Sequence, residues 1–396
     1  MKGLVFALCL LAAAAVARAD SLNCRKVGYC YLPGDANGVA VAGGHAYVTT
    51  EYAGLHIVDV SDPHGSHEEG YYDTPGGACG VAVSGSYAYV SDRESGLPVV
   101  NVSNPRQPFQ SWHVPTDNAC GVAVAGSYAY VADWTSGLRI IDVSDPDSSH
   151  EVGYYDTPGG AAGIAVSGSY AYVADAESGL RVIDVSDPQR PHEDGSCVRP
   201  GRVLGVAVSG SYAYAASEDF GLRIIDVSDP QSPHEDGHFD TQRYARGVAV
   251  SGSYAYVADH DDGLRIIDVS DPQNLFEAGY YDTPGWAGGT AVAGGYAYVP
   301  DGDHGLCIIE FYGTGVEESP GVGVRTPSVP ALVRGELFLA EATSRKLQAA
   351  SLLDATGRCV AALHAGTNDL SGFAPGVYFV NIESGTTSLT RKLVID

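Results

Sequence analysis

The chain predicts an all-β protein, a seven-bladed β-propeller of four-stranded blades followed by a small β-sandwich, and three observations predict it. An eleven-residue core, GVAVSGSYAYV in its commonest form, begins at Gly38, Gly80, Gly121, Gly163, Gly205, Gly247 and Gly289. The steps are 41 or 42 residues, a period suited to one supersecondary unit per repeat. Each repeat also holds four short runs rich in Val, Ile, Leu and Tyr between Gly, Pro, Asp and Ser, which read as strands and are too short for helices. Finally, the two ends of the array are complementary.

Taken in order, residues 1–19 are expected to be a cleaved secretory signal. Lys2 precedes an apolar run from Leu4 to Val16 and the small-residue site Ala17-Arg18-Ala19. The run is too short for a membrane span, so a mature chain starting at Asp20 with no membrane span is expected. Residues 24–313 form the propeller. Lys26–Asn37, KVGYCYLPGDAN, aligns without gaps on Glu151–Ala162, EVGYYDTPGGAA, a fourth strand and its following loop. The last repeat stops at Gly313 with three strands. The N-terminal strand is therefore expected to complete the last blade and close the ring, a match that a right-handed solenoid would not need. Within a repeat, Tyr170 and Tyr172 lie on one face of a strand, and Ala171 and Val173 on the other. A large face on one blade can then pack against a small face on the next. Residues 314–329 are a linker rich in Pro, Gly, Ser and Glu, and residues 330–396 are the small β-domain.

The chain holds 22 basic and 48 acidic residues, a net charge of −26. Removing the signal leaves 20 against 48, or −28, and the propeller accounts for −27 of it with 13 against 40. Such a surface excludes nucleic acid and anionic membranes as partners. Seven cysteines remain in the mature chain, so at least one is unpaired. Cys30 and Cys307 are expected to lie opposite each other across the ring closure, and Cys79 and Cys120 at one position in adjacent blades. Either pair could be a disulfide, and buried free thiols fit equally.

Two stretches resemble known families. In the tail, LLDATGR (352–358), APGVYFVNI (374–382) and TRKLVI (390–395) resemble the C-terminal sorting domain of the type IX secretion system. That resemblance implies an export signal read by a secretion translocon, which leaves the cargo secreted, extracellular or on the outer-membrane surface. In the repeats, YVAD at Tyr130–Asp133 followed by GLRIIDVSDP at Gly137–Pro146 resembles the LVIVD-repeat propellers of secreted bacterial proteins. This second resemblance implies a fold and a location, not a reaction.

Variation among the repeats falls in two connections, fourth-to-first and second-to-third, which a propeller places on one face. The fourth-to-first loops are expected to carry Trp112, His113, Arg199, Arg202, Arg243, Tyr244, Arg246 and Trp286, and a second-to-third turn carries Trp134. This face is expected to bind a protein or glycan. Asp259, Asp261 and Asp262, with Asp301 and Asp303, form acidic turns that could take calcium; no other cofactor is expected. Asp133, Asp175 and Asp259 are expected to cap the turns before Gly137, Gly179 and Gly263, and Asp145, Asp187, Asp229 and Asp271 to open Asp-Pro turns. His67, His150, His192 and His234 read as solvated residues of the outer strand. No catalytic residues are assigned and a non-enzyme is expected, because catalysis needs unlike converging groups whereas the repeats stay interchangeable. Two alternatives stay open. One is a secreted hydrolase or lyase with an axial site built from His113, Arg199, Arg243 and Arg246; the other is an acidic, calcium-supported structural protein of the cell surface.

Overall fold

The β-branched and aromatic runs of each repeat fold as consecutive antiparallel strands, the local order that tight SGS-type and Asp-Pro turns impose. The computed structural model describes residues 21–313 apart from 199–200 and 242. In the tail it describes Arg358 and the strands spanning 331–333, 336–339, 349–353, 359–363, 366–369, 376–384 and 387–395. The expected signal, the linker and Arg199 lie outside the described residues. Seven sheets form the propeller. Blade 1 covers Ala36–Tyr72, blade 2 Gly80–Val114, blade 3 Gly121–Tyr155 and blade 4 Gly163–Cys197. Blade 5 covers Val203–Phe239, blade 6 Gly247–Tyr281, and blade 7 the three strands of Ala291–Phe311.

The expected closure is present. Cys24–Cys30 pairs antiparallel with Leu306–Phe311 as the fourth strand of blade 7. The chain does more than the sequence reading anticipated, since Ser21–Leu22 also adds to the outer edge of blade 6. Asn23 makes the crossing in a left-handed conformation, φ 53°, and its amide donates to the Ala278 carbonyl at 2.7 Å. One short segment thus fastens two blades.

Inter-blade packing follows the expected alternation. Tyr130, Leu138 and Ile140 of blade 3 cluster with Ala171, Val173 and Ile183 of blade 4. Tyr172, Leu180 and Val182 of blade 4 meet Ala213, Ala215 and Ile225 of blade 5 in the same way. At the closure, Tyr298, Leu306 and Ile308 of blade 7 pack on Ala46, Val48 and Val58 of blade 1. A fully buried aliphatic side chain contributes about 1.5–3 kcal/mol, so each junction is held by apolar burial.

The first residue of each repeat is glycine for a steric reason. A Cβ built on Gly163 would stand 2.5 Å from the Leu204 carbonyl oxygen and 3.2 Å from the Gly205 Cα. On Gly121 it would stand 3.2 Å from the Gly163 Cα, and on Gly289, 2.9 Å from the Asn37 carbonyl oxygen, which closes the circle. The seven innermost strands therefore meet around the axis backbone to backbone.

The cysteine expectation is corrected by register. Cys30 pairs with Leu306, and Cys307 with Tyr29. One residue of offset turns a side chain to the opposite face of a sheet, so Cys30 joins the cluster facing blade 1 and Cys307 the cluster facing blade 6. They cannot bridge. Cys79 and Cys120 are also separate thiols, each turned onto a carbonyl of its own loop, Gly77 and Asn118. Burial pushes the Cys120 and Cys307 thiols up to about 12.

In the tail, strands 331–333, 387–395, 376–384, 349–353 and 359–363 form a five-stranded sheet in that order, and 336–339 pairs with 366–369. The motif segments of residues 376–382 and 390–395 are neighbouring strands there.

The axial contact predicts that Gly163→Ala lowers stability by about 2 kcal/mol through overpacking. Gly65→Ala, whose added methyl would meet only Asp62 side-chain atoms at 3.6 Å or beyond, should change it by less than about 0.5 kcal/mol. Chemical denaturation of the two variants checks this.

Candidate functional site

The variable connections become one ring of side chains because most of them are anchored, to the loop of their own blade, to that of the next, or to both. A buried Asp ends the second strand in five blades, and its carboxylate grips the loop entering its own blade. Asp92 accepts from Thr74 Oγ1 at 2.9 Å and Gly76 N at 2.8 Å. Asp133 accepts from Thr116 Oγ1 and Asn118 N, Asp175 from Thr157 Oγ1 and Gly159 N, Asp259 from Thr241 Oγ1, and Asp301 from Gly285 N. This corrects the expected role of Asp133, Asp175 and Asp259. The turn before each glycine is closed by backbone bonds such as Asp133 N to the Gly137 carbonyl, 2.8 Å, and the side chain reaches a loop 15–18 residues upstream instead.

The residue after that Asp then bridges to the loop of the next blade. Arg93 and Ala119 exchange backbone bonds at 3.0 and 3.1 Å, Trp134 and Ala161 at 3.0 and 2.9 Å, and Ala176 and Val203 at 3.1 Å each. Single bridging bonds join Ala245 to Glu218, Ala287 to His260, and Ala36 to Gly302. Arg93, Trp134, Ala176 and His260 adopt φ of 36–47° to do so, a conformation that costs a non-glycine residue about 1 kcal/mol. These bridges span six of the seven blade junctions, that of blades 1 and 2 being the exception among the described residues, and the belt they form sets turn and loop side chains side by side around the axis.

Several expected residues meet on this ring. The Arg202 guanidinium lies 5.8 Å from the Trp134 ring and pairs with Glu177 at 2.8 Å and Glu218 at 3.1 Å. The Trp286 indole stacks on His260 with centroids 5.6 Å apart at 20°, Arg246 lies 5.8 Å from the same indole, and Tyr244 meets His260 edge-on at 6.2 Å. Arg243 pairs with Asp262 at 3.6 Å. Trp134 and the Tyr244–His260–Trp286–Arg246 stack are therefore separate groups on one ring. Just before the axial glycines stand Arg246 and, in the other blades, Asn37, Cys79, Cys120, Ala162, Leu204 and Gly288.

One expected residue belongs elsewhere. Trp112 lies within the fourth strand Phe109–Val114, opposite Val99 at the position where blade 1 has Gly70 opposite Ile57. Its Nε1 donates to the Ser149 carbonyl at 2.8 Å, so it rests on the third-to-fourth turn of blade 3, on the opposite face from the variable turns. His113 follows it in the strand, but its ring turns the other way, onto the Ser95 carbonyl of the variable second-to-third turn of blade 2.

The acidic turns place their carboxylates on different partners. Asp259 is fully buried on Thr241, Asp261 meets His260 at 3.0 Å, and Asp262 meets Arg265 at 3.2 Å. Asp301 is buried, and Asp303 meets His304 at 2.7 Å. Among the described residues, one group of three metal-ligating side chains has its donor atoms within 4.8 Å of one another: Asp184, His192 and Asp194 on blade 4. Its carboxylates hold the partners that repeat in blade 5, Asp184 on Ser186 like Asp226 on Ser228, and Asp194 on Tyr170 like Asp236 on Tyr212. The Asp-Pro turns form as expected, with Asp145, Asp187, Asp229 and Asp271 each accepting from the backbone N–H two residues on.

His260, Glu51, Arg93, Glu177 and Glu218 are ring residues that sequence reading did not single out. The signal was available, because Glu51, Arg93, Glu218 and His260 share one repeat column with Trp134.

Comparison with known proteins fits this geometry. The LVIVD repeat matches residues 33–74, 75–116, 117–157, 158–198, 200–241, 242–283 and 284–310, and the secretion system C-terminal sorting domain matches residues 336–396. No curated protein matches the chain. Similar solved structures include the WD40 repeats of RRP9, at TM-score 0.58 and 11% identity over 72% of this chain and 97% of that one. The Neurospora crassa Pan2 WD40 domain matches at TM-score 0.57 and 12% identity, over 74% and 96%. The computationally designed Ika8 protein matches at 0.54 and 7%, over 72% and 98%. At such identities these three share the fold alone. Among the described residues no helix is long and apolar enough to cross a membrane.

Burial is the main cause that pushes the Asp259 carboxyl up to about 6. Because the folded value lies above the unfolded one, the folded state binds more protons between them. Stability from this group is present at low pH and lost as pH rises through about 6. Between pH 7.5 and 5 the wild type should gain about 1 kcal/mol from Asp259, and Asp259→Asn should lose that gain. Melting curves at the two pH values measure it.

Proposed function

The chain belongs to the LVIVD-repeat family and ends in a sorting domain that directs export to the cell surface or extracellular space, and from this premise we propose a non-catalytic binding protein. Its ligand, a protein or glycan, sits on the ring of variable turn and loop side chains around the propeller axis. One observation carries the reading. The repeats keep their strands, Asp-Pro turns and axial glycines nearly unchanged, and concentrate their chemical differences in the two columns that the belt of bridges brings together. Aromatic and arginine side chains, the types that dominate binding hot spots, occupy one arc from Trp134 through Arg202, Tyr244 and His260 to Trp286. What favours binding over a hydrolase or lyase at the axis is that the seven positions just before the axial glycines hold no carboxylate and no histidine to move a proton.

Screening the full secreted chain against glycan and protein arrays, then testing each hit with Trp134→Ala and Tyr244→Ala, examines the proposal. Each variant should weaken binding by at least tenfold, about 1.4 kcal/mol, with an unchanged melting temperature. Hits that both variants bind like the wild type would remove the ring from consideration, and turnover of a bound glycan would replace binding with catalysis.

A further inference from the structure

We infer that Arg246 is an anion subsite at the axial mouth, taking the carboxylate of a sugar acid on the ligand. The inference rests on the reading of the variable ring as the binding face. Arg246 immediately precedes the axial glycine Gly247, and the six equivalent residues of the other blades are uncharged. Of these seven positions Arg246 alone is charged, and the cation that reaches one of them from its turn, Arg93 beside Cys79, is paired with Glu51, on a chain whose net charge is −26.

The other described arginines of the ring are neutralised by carboxylates. Arg93 meets Glu51 at 3.5 Å, Arg202 meets Glu177 and Glu218, and Arg243 meets Asp262. Arg246 is exposed and makes no ion pair among the described residues; its guanidinium lies over the Trp286 ring. That indole is itself held, stacked on His260 and seated against Gly302. Trp286 thus serves less as a platform for ligand than as a buttress that keeps the guanidinium in place, which reduces the ordering cost of binding.

A planar guanidinium matches a carboxylate fork. The surrounding negative charge repels a ligand in proportion to the ligand's own charge, so a singly charged group is favoured over a polyanion. The backbone favours a sugar over an extended peptide. Strand addition needs a run of unpaired N–H and C=O groups, and here the bridges between blades interrupt any such run, taking both groups of Arg93, Trp134 and Ala176 and the carbonyls of Glu218 and His260. Tyr244, 46% exposed beside the stack, offers a ring face to the C–H groups of a pyranose.

Calorimetry on the full chain with methyl glucuronide and methyl glucoside, identical but for the carboxylate, tests the inference. The wild type should bind the glucuronide at least tenfold more tightly. Arg246→Gln should abolish that preference while leaving affinity for the glucoside unchanged. Arg190→Gln, which removes the same charge from an exposed Asp-Pro turn residue, should retain the preference and so separates a local contact from the overall field. Equal affinities, no binding of the glucuronide, or a preference that survives Arg246→Gln would overturn the subsite. So would an Arg246-dependent preference for a peptide with a free C-terminal carboxylate over its amide, with none for the glucuronide. If the subsite fails while Trp134→Ala and Tyr244→Ala still weaken an array hit, the ring remains the binding face; if those variants have no effect either, both readings fall.

Discussion

The approach of seven innermost strands at the axis is the constraint on which the rest of the structure depends. Backbone meets backbone there, so glycine is required where Gly121, Gly163 and Gly289 stand against their neighbours. Close approach at the axis sets the spacing of the blades, and that spacing is what the Tyr face of one blade and the Ala and Val face of the next must fill. Tyr130 on Ala171 and Tyr172 on Ala213 are the same solution repeated. A ring built this way is only as strong as its closure, and the segment from Ser21 to Cys30 fastens blades 6 and 7 together.

Fixing the turns is a separate device from packing the blades. The buried carboxylates bind the loops of their own blades, and the backbone bridges bind the loops of the next, so the main chain of the variable face is determined without its variable side chains. Arg93, Trp134, Ala176 and His260 all accept the same left-handed conformation. Substitution in these columns can therefore change the chemistry of the face while leaving the scaffold standing, which is the property the proposed binding role requires.

The sequence made the blade count, the closing strand, the Asp-Pro turns and the large-on-small packing legible, since each recurs from repeat to repeat or is the one gap in a repeating pattern. It made the ring only partly legible. Trp134, Arg202, Arg243, Tyr244, Arg246 and Trp286 fall on it as expected, but Trp112 lies in a strand. A Trp in an otherwise repeating segment resembles a loop substitution until the register shows it opposite Val99. The same one-residue precision decides the cysteines, because alignment brings Cys30 and Cys307 near each other and register puts them on opposite faces.

By itself, then, the sequence determined the architecture, the export signal and the column in which variation collects, because these are properties of periodicity and local pattern. Only the tertiary structure decided who touches whom across blades. It gave Asp133, Asp175 and Asp259 a loop 15–18 residues away to hold rather than a turn to cap, set His260 against Trp286, and left Arg246 without a carboxylate at the axial mouth. Those contacts join residues far apart or on different blades. Repetition along the chain carries no information about them, since they depend on the angle and distance at which one sheet meets the next.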